Sequence, residues 1–202
     1  MTEDKRLRIL QATQKLLTRQ GYEHLTISRI AQECDIGKGT VYEYFDSKEA
    51  LLNQALSHYA RLECDAICAP LPETLSLSES VHTLVLRLCR LFERNTAMLS
   101  MFWTNLQQQG LPKSLAECMC QTMLPLRDQY LNFVHQLCRR ALLRGELCSL
   151  PDDFEIGYIG FGLASYLSLQ FRTGASVSAQ LADRCTEMVL RQFSVHQEAT
   201  HA

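Results

Sequence analysis

No run of apolar residues in this chain approaches the ~20 that a bilayer-crossing helix needs. Its charged opening, MTEDKRLRIL, is not followed by the apolar core of a signal peptide. Neither membrane insertion nor export is expected, so the cytoplasm is the expected compartment. Nine cysteines, an odd number without regular spacing, do not make a disulfide framework, which agrees with a reducing compartment. Catalytic signatures are missing as well: there is no Gly-x-Ser-x-Gly elbow, His-Glu-x-x-His pair, Walker loop or dinucleotide fingerprint. Carboxylates are scattered rather than paired on an apolar face, so no enzyme activity and no cofactor are expected. Charge of one sign is scarce too. The net charge is −2, and residues 1–60 carry eight Lys/Arg against eight Asp/Glu, which excludes a bulk basic footprint. Any nucleic-acid contact must come from placement, through Lys5, Arg6, Arg8, Arg29, Lys38 and Lys48.

What the chain has is helical periodicity. With 47% hydrophobic residues in 202 it carries enough for a substantial core, and no stretch alternates as a strand would. Residues 4–20 place Ile9, Ala12, Leu16 and Leu17 on one side, and Gly21 stands where a C-terminal cap favours glycine. A helix over 49–68 follows through Leu51, Leu52, Ala55, Leu56, Tyr59 and Leu62 and is ended by Pro70 and Pro72. Further helices are predicted over 76–93, 95–108, 113–146, 152–173 and 177–194, with a kink or break at Pro125.

The segment TISRIAQECDIGKGTVYEYFDSK, residues 26–48, is the most informative. Ile27, Ile30, Ala31 and Cys34 recur at helical spacing, and Thr26 stands where a hydroxyl can cap the first turn. Asp35-Ile36-Gly37 breaks the pattern in a few residues, as the turn of a helix-turn-helix requires. On the second helix Val41 and Phe45 share the inward face, while Gly39 and Glu43 point away, flanked by Thr40 and Tyr42. Such a helix can approach a flat polar partner closely, and double-stranded DNA is that kind of partner. Lys38, Gly39, Thr40, Ser28 and Tyr44 are the candidate groove contacts, Lys38 toward guanine acceptors. Glu43 has two readings, accepting from a cytosine amino group or solvated off the DNA.

At these residues the chain resembles the TetR family of transcriptional repressors. The family's pattern Thr-x-x-x-Ile-Ala, then Gly-x-Gly-Thr-x-Tyr-x-Tyr-Phe, then Ser-Lys-Glu-x-Leu is met by Thr26, Ile30-Ala31, Gly37 to Phe45 and Ser47 to Leu51. Arg29 departs from it, since many relatives carry an acidic residue there that completes a capping box. The cation forfeits that cap and brings a charge toward a phosphate. The resemblance implies that Tyr42 and Lys48 touch phosphates, which fixes register without reading sequence. It also implies an all-α fold: a three-helix DNA-binding head over residues 1–48 and a larger helical ligand-binding and dimerisation domain over 49–202, with helix 49–68 as connector.

Two C-terminal expectations follow. The resemblance places a ligand cavity among the central helices, for which Met98, Phe102, Trp103, Met119, Met123, Phe133 and His135 are lining candidates, with core packing as the alternative for each. It also implies a homodimer made by the last two long helices. Gly157, Gly160 and Ala164 would form a small-residue strip there, with Leu181, Cys185, Met188 and Val189 completing the contact, and core packing within one chain is the alternative. The expected function is a ligand-responsive repressor released from a palindromic operator by a small apolar or aromatic effector. Two alternatives stand beside it: a repressor switched by thiol oxidation, with Cys138 beside Arg139 and Arg140 as the candidate thiol, and a helical small-molecule binding protein without DNA readout. Cys64 and Cys68, one turn apart, lack a clear third and fourth ligand, so no metal site is expected.

Overall fold

The computed structural model describes residues 2–21, 24–96 and 113–199, with side chains from 4 to 21, 24 to 96 and 125 to 193. The described residues are helical and contain no strand: α1 (Thr2–Gln20), α2 (Ile27–Glu33), α3 (Lys38–Tyr44), α4 (Lys48–Ile67), α5 (Leu77–Arg94), α6 (Lys113–Leu143), α7 (Asp153–Arg172) and α8 (Ala179–Ala199). They form two compact units. The first runs from α1 to Glu63 and takes in α6 up to Leu126, and the second comprises Cys64–Thr96 and everything from Arg127 onward.

The first unit is built by short helices that stop where the chain chemistry says. Gly21, at φ +76°, ends α1, and its N–H donates to the Leu17 carbonyl at 3.0 Å. Thr26 Oγ1 accepts from the Arg29 amide at 3.3 Å and starts α2. The end of α2 is a Schellman closure, in which Ile36 N–H donates to Ala31 O at 3.0 Å and Asp35 N–H to Gln32 O at 3.1 Å. The left-handed residue this closure needs is Asp35, at φ 54°. Gly37 has ordinary extended backbone and serves as the N-cap of α3. Ser47 Oγ accepts from the Ala50 amide at 3.0 Å and opens α4. Around these turns Ile9, Leu17, Ile30, Val41, Phe45 and Leu51, all 2% exposed or less, form one core, with Tyr44 and Ile36 partly buried against it.

In the second unit α5 packs on α8 and α7, and α7 packs on α8. Its apolar faces meet through Val85, Cys89, Leu137, Cys138, Ile156, Leu167 and Cys185. Capping boxes start α5 and α7: Ser76 with Glu79, and Asp152 with Glu155. The Ser76 amide and hydroxyl hold the Glu79 carboxyl below the usual carboxylate range. The expected interruption at Pro125 does not end its helix, since α6 is continuous over 31 residues with that proline inside. Proline removes one ladder bond, and the remaining turns of a long helix carry it past the gap. The helix expected over 95–108 lies outside the described residues beyond Thr96.

Candidate nucleic-acid interface

The head presents α3 with its inner side fixed and its outer side bare. Val41 is fully buried, whereas Lys38, Gly39, Tyr42 and Glu43 are exposed, Tyr42 by 53%. Thr40 and Lys48 are half-buried, and so is Tyr44, which packs against the core. At the start of α2, Thr26, Ser28 and Arg29 are exposed. Thus the fold gathers the expected contact residues around α3 and the first turn of α2, the two elements a helix-turn-helix brings to a duplex.

Gly39 is informative by what surrounds it. Its backbone is helical, and a Cβ built there would meet nothing within 4 Å. A glycine inside a helix costs about 1 kcal/mol relative to alanine, and nothing in the chain itself requires that loss.

The basic residues divide into two groups. Arg8 donates to the Cys34 carbonyl at 3.0 Å, and Arg6 lies over the Phe45 ring at 5.5 Å while bonding Gln54. Both arginines thus tie α1 to the helix-turn-helix, which reduces the positive face expected from the sequence. Arg29, expected near a phosphate, bonds Gln20 Oε1 and the His24 carbonyl, and so braces the loop ahead of α2 where an acidic capping-box partner would stand. Lys15 pairs with Glu33 and holds that carboxyl below its ordinary range. Lys38 is the exposed cation on α3 itself.

Two of the seven expected effector residues, Phe133 and His135, have described side chains. Met98, Phe102 and Trp103 lie outside the described residues, and Met119 and Met123 belong to the part of α6 whose side chains are not described. Phe133 is buried, and His135 is hydrogen-bonded to Asp153 Oδ1 at 2.7 Å. Neither lines the apolar pocket between α5, α6, α7 and α8. That cavity, about 40 Å³, is lined by Val81, Leu84, Val134, Ile159, Leu163 and Val189 together with Tyr130, among others. Apolar surroundings, with Cys68 and Cys138 nearby, push the Tyr130 phenol up to about 12, so it stays a neutral donor. Tyr130 carries no apolar pattern that would single it out in the sequence; only the approach of α7 to α6 makes it a cavity residue.

The expected interface residues also divide. Gly157 and Met188 are exposed, Ala164, Leu181 and Val189 half-buried, and Cys185 fully buried. Gly160 faces inward: a Cβ there would stand 3.4 Å from the Tyr130 hydroxyl. The outward side of α7 carries instead Phe154, Tyr158, Phe161 and Leu169, exposed by 79%, 68%, 67% and 58%. Their spacing of four, three and eight residues puts them on one stripe, a signal present in the sequence but hidden because the opposite face, with Ile156, Leu163 and Leu167, is apolar too.

Cys138 is not an activated thiolate. It is 1% exposed, and burial pushes its thiol up to about 11, so the adjacent arginines in sequence do not lower it. Among the described residues there is no group of three or more side chains placed to hold a metal ion, and no helix is long and apolar enough to cross a membrane.

Fold and site together define an all-helical protein with an N-terminal helix-turn-helix. Residues 9–55 match the family described as bacterial regulatory proteins, tetR family. It is 44% identical over 59 residues to the uncharacterized HTH-type transcriptional regulator YuxN of Bacillus subtilis, a match covering 29% of this chain and 20% of that protein. It is 28% identical over 146 residues to the HTH-type transcriptional regulator SrpR of Pseudomonas putida, covering 72% of this chain and 64% of the relative. The chain therefore spans less than two thirds of these relatives' lengths. In fold it is similar to the transcriptional regulator FadR of Bacillus subtilis, solved in complex with stearoyl-CoA, with a TM-score of 0.69 at 17% identity over 91% of this chain and 96% of that one.

Proposed function

We propose that this protein is a cytoplasmic transcriptional repressor that binds a palindromic DNA operator as a homodimer and releases it when a small apolar molecule occupies the C-terminal helices. Gly39 carries the DNA part of the reading. The chain leaves open space where its side chain would be, so the reason for glycine lies in an outside surface brought close, such as base edges in the major groove. Lys38, Thr40 and Ser28 read the groove, with Glu43 on the same exposed side. Tyr42 and Lys48 hold phosphates and fix the register.

Dimerisation is supported by the bare aromatic stripe of α7, which a two-fold axis would cover with its own copy. The glycines Gly157 and Gly162 on the same exposed side, both with open space around a Cβ, permit close approach of that copy. Two heads then address half-sites one helical turn, ~34–36 Å, apart. The effector reading is supported by the apolar cavity with one phenol, and by the stearoyl-CoA complex of the similar FadR. At about 40 Å³ the cavity is smaller than the ~300–1,000 Å³ of small-molecule sites. An occupant must therefore separate α5, α6, α7 and α8, and that separation is the differential between bound and unbound states which any release mechanism requires.

The test is a gel-shift assay on duplexes selected from a random pool by the reduced protein, run beside thermal unfolding. Gly39→Ala should stabilise the head by up to about 1 kcal/mol while weakening operator binding at least tenfold. A Gly39→Ala protein that binds the selected duplex as tightly as the parent would overturn the docking.

A further inference from the structure

The last turn of α4 carries a built dithiol. Cys64 and Cys68 are one helical turn apart, and their sulfurs stand 3.9 Å from each other. The backbone beneath them is closed by a 2.8 Å bond from the Cys68 amide to the Cys64 carbonyl. Two side chains from other helices fix this turn. Arg87 of α5 donates to the carbonyls of Ile67 and Ala69 at 2.8 and 2.6 Å, one on each side of Cys68, and Gln129 of α6 donates to Asp65 at 2.8 Å. Both thiols are partly exposed. Cys89 and Cys185, which lie near each other in the bundle core, are each 0% exposed and shut off from reagents.

Two sulfurs bound to one thiophilic centre through bonds of about 2.3 Å lie about 3–4 Å apart, depending on the bond angle. The Cys64–Cys68 separation falls in that range without any movement of the helix. A tetrahedral zinc ion would need two more ligands, and no group of three or more candidate ligands exists among the described residues. The centre that fits is one that asks the protein for two sulfurs and brings its third substituent with it.

We propose that Cys64 and Cys68 form a chelating site for monosubstituted trivalent arsenicals. With phenylarsine oxide as the reagent, the arsenic–oxygen unit condenses with two thiols. Two S–H bonds and the arsenic–oxygen bond break, two As–S bonds form, and the oxygen leaves with both protons as one water. Arsenic stays trivalent, so no oxidant or reductant enters. The ring that forms closes over one turn of α4 and locks its C-terminal end in the helical state.

The experiment uses the full-length reduced protein. Phenylarsine oxide is added at one equivalent, excess glutathione competes for single-thiol adducts, and intact mass is measured before and after a dithiol is added. One phenylarsenic adduct that survives glutathione and is removed by the dithiol is expected. Digestion with trypsin should place it on the peptide 62–87, in which Cys64 and Cys68 are the two cysteines. Cys64→Ser or Cys68→Ser should each weaken retention about 100-fold, the low end of the gain from a second tethered contact. A Cys118→Ser/Cys120→Ser variant should retain the adduct. Recovery of the adduct on another peptide, or its persistence in the Cys64→Ser/Cys68→Ser protein, would overturn the assignment. The peptide map decides the matter even if a substituted protein fails to fold.

Discussion

Replacing Phe161 by alanine separates the outward stripe of α7 from the small-residue strip as the source of assembly. The side chain is 67% exposed in the single subunit, so a covering copy would remove most of its surface from water. At about 25 cal/mol per Å², and with aromatic residues burying ~150–250 Å², truncation forfeits about 2–3 kcal/mol per copy. A two-fold interface contains the residue twice, which makes the loss about 4–6 kcal/mol per dimer, or about 10³–10⁴-fold in the dimer dissociation constant. The fold of the subunit itself should be nearly indifferent, because an exposed substitution is usually worth less than ~0.5 kcal/mol. Sedimentation velocity across a wide range of protein concentration would show the parent as dimer and Phe161→Ala dissociating, with operator affinity falling in parallel. Unchanged assembly in Phe161→Ala would refute the stripe as the interface. So would a loss of subunit stability matching the loss of assembly, because the residue would then belong to the core.

Other expected outcomes bear on separate parts of the molecule. Gly160→Ala should raise the stability of the second unit by up to about 1 kcal/mol through helix propensity, since its Cβ reaches Tyr130 at ordinary contact distance, and should leave the dimer intact by sedimentation. Tyr42→Phe and Lys48→Ala should weaken binding to specific and scrambled duplexes alike, the lysine change lowering the salt slope by about one, whereas Lys38→Ala should change which duplex is selected. Burial raises the thiols of Cys89 and Cys138 from 9.0 to about 11 and that of Cys68 to about 12. The unfolded chain therefore loses these protons first, and their contribution to stability is complete below pH 9 and lost as the pH rises toward 11–12. Urea unfolding between pH 8 and 11 should show this decline, shallower in Cys138→Ala by up to about 1.4 kcal/mol per pH unit.

The head was legible because each of its decisions is local. Thr26 caps within three residues, Gly21 ends a helix by its own backbone, and the spacing of Ile30, Ala31, Val41 and Phe45 leaves α3 one side to bury and another to present. Even so, Asp35 rather than a glycine took the left-handed position, because the Schellman closure falls on the residue after the α2 cap, whatever that residue is. What only the tertiary structure decided were matters of facing. Arg6, Arg8 and Arg29 look alike in sequence to any DNA-binding cation, yet each finds a partner inside the first unit, across up to 48 positions of sequence. A helix apolar on both sides, such as α7, states no preference for which side meets its own bundle. The approach of Gly160 to Tyr130 turned that glycine inward, while Gly157 stayed outside with Phe154, Tyr158 and Phe161. Periodicity fixes the angle between residues on one helix, but only packing against the neighbouring helices fixes where that angle points.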